Sequence, residues 1–70
     1  MEREKEKVLR LIKEYTERSY VRGYAGSMKN FSNEVGASQT TVRKILNELI
    51  SAGRIKKLVN GRGLIIYRVA

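Results

Sequence analysis

The sequence predicts an α+β fold in which three helices are followed by a C-terminal β-hairpin. Apolar residues recur at helical spacing in three separate stretches, glycines stand where the second and third stretches end, and two β-rich runs flank Asn60-Gly61-Arg62-Gly63. Seventy residues make a single domain, residues 1–70. With no cysteine, neither a disulfide nor a thiolate metal site staples its core.

The first helix is expected over residues 2–18. Val8, Leu11, Ile12 and Tyr15 fall at i, i+3, i+4 and i+7 and share one stripe, with Glu6, Arg10, Glu14 and Arg18 on the solvated face opposite. Leu9 widens the apolar stripe, and a helix of this length runs about 25 Å, long for so small a domain. Leu9 and the overhanging first turns have no evident partner within the chain, so a homodimer through this helix is expected.

Gly23 and Gly26 break the helical period, and residues 19–26 read as a loop with one short strand. Ser27 is placed to cap a second helix at 28–35, whose Met28, Phe31 and Val35 share a core face. Gly36 supplies a tight turn and Ser38 caps a third helix at 39–52, in which Val42, Ile45, Leu46 and Leu49 repeat the i, i+3, i+4, i+7 stripe. Gly53 stops it as the residue able to turn left-handed without steric cost. The hairpin occupies residues 54–70, in runs 54–59 and 64–70. Tyr67 is expected on one sheet face with Ile65 and Val69, although Leu64 and Ile66 are apolar enough to support a register one residue away.

Composition then excludes several functions. The chain has no His, Cys or Asp, which removes the usual metal ligands, the commonest general base and the usual triad members. Glu34 and Glu48 fall on polar helix faces, and no phosphate-cradling glycine loop occurs. No enzymatic activity, cofactor, metal or small-molecule ligand is expected. No signal peptide or membrane span is visible, so a cytoplasmic protein is expected.

Fifteen Lys and Arg against seven Glu leave a net charge of +8. Residues 19–70 hold nine basic residues against Glu34 and Glu48, a net of +7, so this part of the chain should attract a polyanion. The predominance of Lys, Arg and Glu over Gln, Cys and His is of thermophile type.

The stretch Gly36-Ala37-Ser38-Gln39-Thr40-Thr41-Val42-Arg43, continued by Leu46, Leu49, Gly53 and Ile55, resembles the G-[VA]-S-x-x-T-V-R-x-x-L-x-x-L-x-x-x-G-x-I pattern of winged helix-turn-helix transcription regulators. The resemblance covers residues 27–55 and extends to small regulators of archaeal, plasmid or viral type. It departs at Phe31-Ser32, where many members carry Leu-Ala, and in the lack of an effector segment, which would leave the protein's own concentration as its input. It implies a winged helix-turn-helix fold, with 39–52 as the recognition helix and 54–70 as the wing, and a double-stranded DNA partner.

The residues support that reading independently. With Val42, Ile45, Leu46 and Leu49 inward, Gln39, Thr40, Arg43 and Lys44 line the outer face as base readers, and Asn47 joins them from deeper along the helix. Arg matches guanine O6 and N7, Asn and Gln match adenine, and threonine methyls suit thymine. Ser27 and Lys29 at the start of the second helix, and Ser38 and Thr41 at the start of the third, suit phosphate oxygens. Lys56 and Lys57 are also expected on phosphate, bracketing the wing tip with Arg62, which is expected in the minor groove. Tyr20 and Tyr24 either pack on the wing or touch phosphate. The rival readings are a winged helix that coats chromosomal DNA or binds RNA without sequence preference, and one that docks a protein.

Overall fold

The computed structural model describes residues 2–70. In chain order it contains α1 (Glu2–Arg18), α2 (Met28–Val35), α3 (Gln39–Ser51), β1 (Ile55–Val59) and β2 (Ile65–Val69). This is the α+β layout of a winged helix, three helices with an antiparallel hairpin packed beside them. Helix α3 stops one residue short of the expected 52, because Ala52 is its cap and bonds back through its N–H to Glu48 and Ile50.

Local chemistry accounts for the helix ends. The Ser27 Oγ accepts from the Asn30 amide at 3.1 Å and the Ser38 Oγ from the Thr41 amide at 3.2 Å, each satisfying an orphan donor of a first turn. Gly36 takes φ +80° after α2 and Gly53 φ +73° after α3, backbone that a side chain would strain. The chain therefore reverses sharply between α2 and α3, as a helix-turn-helix requires.

The core is built from one stripe of each helix. Val8 and Ile12 of α1, Phe31 and Val35 of α2, and Val42, Ile45, Leu46 and Leu49 of α3 are buried together, joined by Tyr24 and Ile55. Ser32 occupies a buried position next to Phe31 and satisfies its hydroxyl by donating to the Lys29 carbonyl at 2.8 Å. Small size with a bonded hydroxyl explains how serine is tolerated there. Leu9 is corrected by the structure: it is half-buried and packs against the core, beside Leu49 and Arg54 in a shallow depression. The absence of a partner that pointed to dimerisation through α1 thus no longer holds. Among the described residues, exposed aliphatic side chains lie mostly in the hairpin, at Leu58, Val59, Leu64 and Ile65, with Val21 in the turn after α1.

The hairpin pairs Ile55 with Val69, Lys57 with Tyr67 and Val59 with Ile65, which settles the register and puts Ile65, Tyr67 and Val69 on one face. The expected short strand before α2 is a single bridge. Tyr24 donates to the Tyr67 carbonyl at 2.7 Å and accepts from its amide at 3.0 Å, covering the edge of β2 that β1 leaves open. Gly23 permits this approach, since a Cβ there would stand 2.6 Å from both the Tyr67 carbonyl oxygen and Ile66. A second tie runs to α1, where the Thr16 Oγ1 donates to the Ile12 carbonyl at 2.7 Å and accepts from the Val69 amide at 3.1 Å.

Thr16→Val keeps the shape of that side chain and leaves the half-buried Val69 amide without its acceptor. We expect a loss of about 1 kcal/mol in urea unfolding, largely restored by Thr16→Ser. Equal stability of the valine variant and the parent would mean that water replaces the hydroxyl at no cost.

Candidate nucleic-acid interface

Helix α3 presents two contrasting sides. Its apolar stripe is fully buried, and Gln39, Thr40, Arg43, Lys44 and Asn47 are all exposed on the remainder. The five residues assigned to base reading are therefore free to meet a groove. They form a polar face with two cations, and the helix's one acid, the exposed Glu48, lies a turn beyond Lys44.

The hydroxyls at the helix starts are more committed than their sequence positions imply. The Ser38 hydroxyl accepts from the Thr41 amide and donates to the Thr41 Oγ1 at 2.9 Å, so it must break that bond before it can donate to a phosphate. Thr41 is the acceptor in this pair and retains its own proton. Ser27 uses its Oγ as a cap, and its carbonyl accepts from the Tyr24 hydroxyl at 2.8 Å. Lys29, the second residue of α2, is exposed.

Of the two places expected for Tyr24, the structure shows the first: it packs on the wing, bridged through its backbone to Tyr67 of β2. Its ring lies in the core, edge-on to Tyr15 at 4.8 Å and tilted against Phe31 at 4.6 Å, and its hydroxyl steadies the start of α2. Burial raises its phenol above the ordinary value, so it remains a hydrogen-bond donor at neutral pH. Tyr20 is fully exposed in the turn after α1, where Arg22 takes φ +56° and its amide bonds to the Ser19 carbonyl at 3.0 Å. Tyr15 packs against the core and donates its hydroxyl to the Glu34 carboxylate, 2.8 and 3.0 Å from the two oxygens; that bond holds its phenol above the ordinary value. Tyr15, Tyr24, Asn30, Asn33 and Glu34 surround an open depression of about 600 Å³ whose only charged group is this carboxylate.

The hairpin separates the residues that the sequence groups at its tip. Lys56 and Lys57 are neighbours in β1 and point to opposite faces. They pair with Arg68 and Tyr67 in the half of the hairpin nearer the core, not at the tip. Lys57 faces α3, while Lys56 and Arg68 share the outer face. At the tip, the Asn60 Oδ1 accepts from the Arg62 amide at 2.8 Å and the Leu64 amide at 2.9 Å, and its backbone closes the turn with Leu64 and Gly63. Arg62 is exposed on this pinned backbone.

Between α3 and the hairpin lies a cleft of about 370 Å³, lined among others by Met28, Arg43, Asn47, Lys57, Ile65 and Tyr67. Sequence reasoning did not connect these residues, which come from four elements, α2, α3, β1 and β2. Half-burial raises the Tyr67 phenol above its ordinary value, partly offset by the neighbouring Arg43 guanidinium, so Tyr67 is a neutral donor there. Alternation along β2 with Lys57 opposite Tyr67 was the available signal.

Among the described residues there is no group of three or more His, Cys, Asp or Glu able to hold a metal, and no helix long and apolar enough to cross a membrane. No family model, curated protein or solved structure matches this chain.

Proposed function

We propose that this chain is a cytoplasmic, sequence-specific double-stranded DNA-binding protein that regulates transcription and does no chemistry of its own. The observation that carries the reading is the outer face of α3, on which Gln39, Thr40, Arg43, Lys44 and Asn47 are all exposed beside a hairpin contributing Lys57 and Arg62. The first turns of α3 enter the major groove and the wing meets the backbone and the adjacent minor groove. Gln39, Thr40, Arg43 and Lys44 read base edges, while Lys29 and Thr41 bind phosphate and fix the register.

Selection from a random duplex library tests this directly. Recovery of a common motif of several base pairs is expected, with discrimination against mismatched sites of about 1–3 kcal/mol per pair. Tight but motif-free binding would point to a coating protein, and absence of duplex binding would remove the proposal.

At the wing, Arg62→Ala is expected to weaken binding more where the flanks are A·T-rich than where they are G·C-rich. Narrow A-tract grooves concentrate the negative potential that an inserted arginine exploits. Competition titrations on duplexes differing only in their flanks measure this, and a loss independent of flank would place Arg62 on the backbone.

A further inference from the structure

We infer that the cleft between α3 and the hairpin holds a single backbone phosphodiester of the DNA, clamped by Lys57, Asn47 and the Tyr67 hydroxyl, so that Asn47 positions the duplex and does not read a base. The inference rests on the DNA-binding reading above and deepens it.

Chemistry points to the ligand class. Asn47, Lys57 and Tyr67 bring an amide, a cation and a neutral phenol to one cleft of about 370 Å³, the Arg43 guanidinium stands at its α3 side, and no carboxylate lines it. Such a set of donors suits an anion whose exposed oxygens only accept, as those of a phosphodiester do. Met28 and Ile65 add apolar wall, which matches the C–H surface of the sugar attached to that phosphate. A free base would leave its ring donors facing lysine and arginine.

Position points the same way. Asn47 lies eight residues beyond Gln39, about 12 Å farther along the helix axis, away from the N-terminal turns that meet base edges in the DNA-binding reading. There it lines the cleft toward the hairpin with Lys57 and Tyr67, which suits the groove rim, where the sugar-phosphate strand runs. Lys57 faces that rim from the hairpin, and its strand partner Tyr67 stands directly beside it. One backbone strand passing between recognition helix and wing is thus gripped from both sides.

The test compares the full chain with Lys57→Ala, Asn47→Ala and Tyr67→Phe on the selected duplex, on random duplexes, and on duplexes carrying one neutral methylphosphonate at successive backbone positions. Thermal melts check that each variant folds. Lys57→Ala should weaken binding about tenfold on all sequences and reduce the salt slope by about 0.9. Asn47→Ala and Tyr67→Phe should weaken it about threefold on all sequences and leave the slope unchanged. At one backbone position the methylphosphonate should weaken the parent protein but add nothing to the loss already caused by Lys57→Ala.

Losses for Asn47→Ala confined to one base pair, or methylphosphonate and Lys57→Ala losses that multiply at every position, would overturn the clamp while duplex binding by the parent upholds the broader function. A parent protein that binds no duplex would overturn both.

Discussion

Phe31→Ala is expected to leave the chain largely unfolded at 37 °C. Phe31 is fully buried, belongs to the same core as the apolar stripes of α1 and α3, and packs its ring against Tyr24. Removing a buried phenyl ring costs about 3–5 kcal/mol, whereas a domain of this size has only roughly 4–10 kcal/mol in total. Circular dichroism on heating should show the helical signal lost tens of degrees below the parent. Ser32→Ala, at the adjacent buried site, should shift the midpoint only slightly because donor and site shrink together. A Phe31→Ala variant that melts with the parent would mean the core closes around the cavity.

Arg43→Ala carries the largest expected effect on binding. Its exposed side chain stands on the outer face of α3, one helical turn beyond Gln39 and Thr40, where a guanidinium reaches guanine O6 and N7 together. Its loss should cost about 1–3 kcal/mol on the selected duplex and flatten the preference at one base pair. Lys44→Ala should cost less, since an ammonium makes no paired contact of fixed geometry. Titrations on the selected duplex and on single-pair variants separate the two. Equal losses on specific and random duplexes would make Arg43 a phosphate contact.

Much of this architecture is visible in the residues. The i, i+3, i+4, i+7 stripes, the Ser27 and Ser38 caps and the left-handed Gly36 and Gly53 are local signals, and the observed bounds of α1 and α2 coincide with the expected ones. The exposed set on α3 follows from its buried stripe by geometry alone. What escaped notice is non-local. Leu9 looked unpartnered because helical periodicity says nothing about the angle at which α1 crosses α3. The place of Tyr24 depends on pairing with a residue 43 positions later, and the sequence, which suggests a short strand among its neighbouring glycines, does not name that partner. Lys56 and Lys57 looked like wing-tip residues until the hairpin register paired them with Arg68 and Tyr67, away from the tip. Asn60 was legible as a turn residue, yet its double acceptance at the wing tip shows only in the folded loop.

The two ties that hold β2 also shape its motions on the slow timescale of amide exchange. The Tyr67 and Val69 protons are given to Tyr24 and Thr16, away from β1. By the alternation of antiparallel strands, those of Ile66 and Arg68 turn toward β1. Fraying of the hairpin releases the second pair and leaves the first untouched. Exchange along β2 should therefore alternate residue by residue, with Tyr67 and Val69 opening only when α1 and the loop before α2 separate from the strand. The wing can thus breathe along its free β1 edge while its root stays rigidly oriented to the recognition helix.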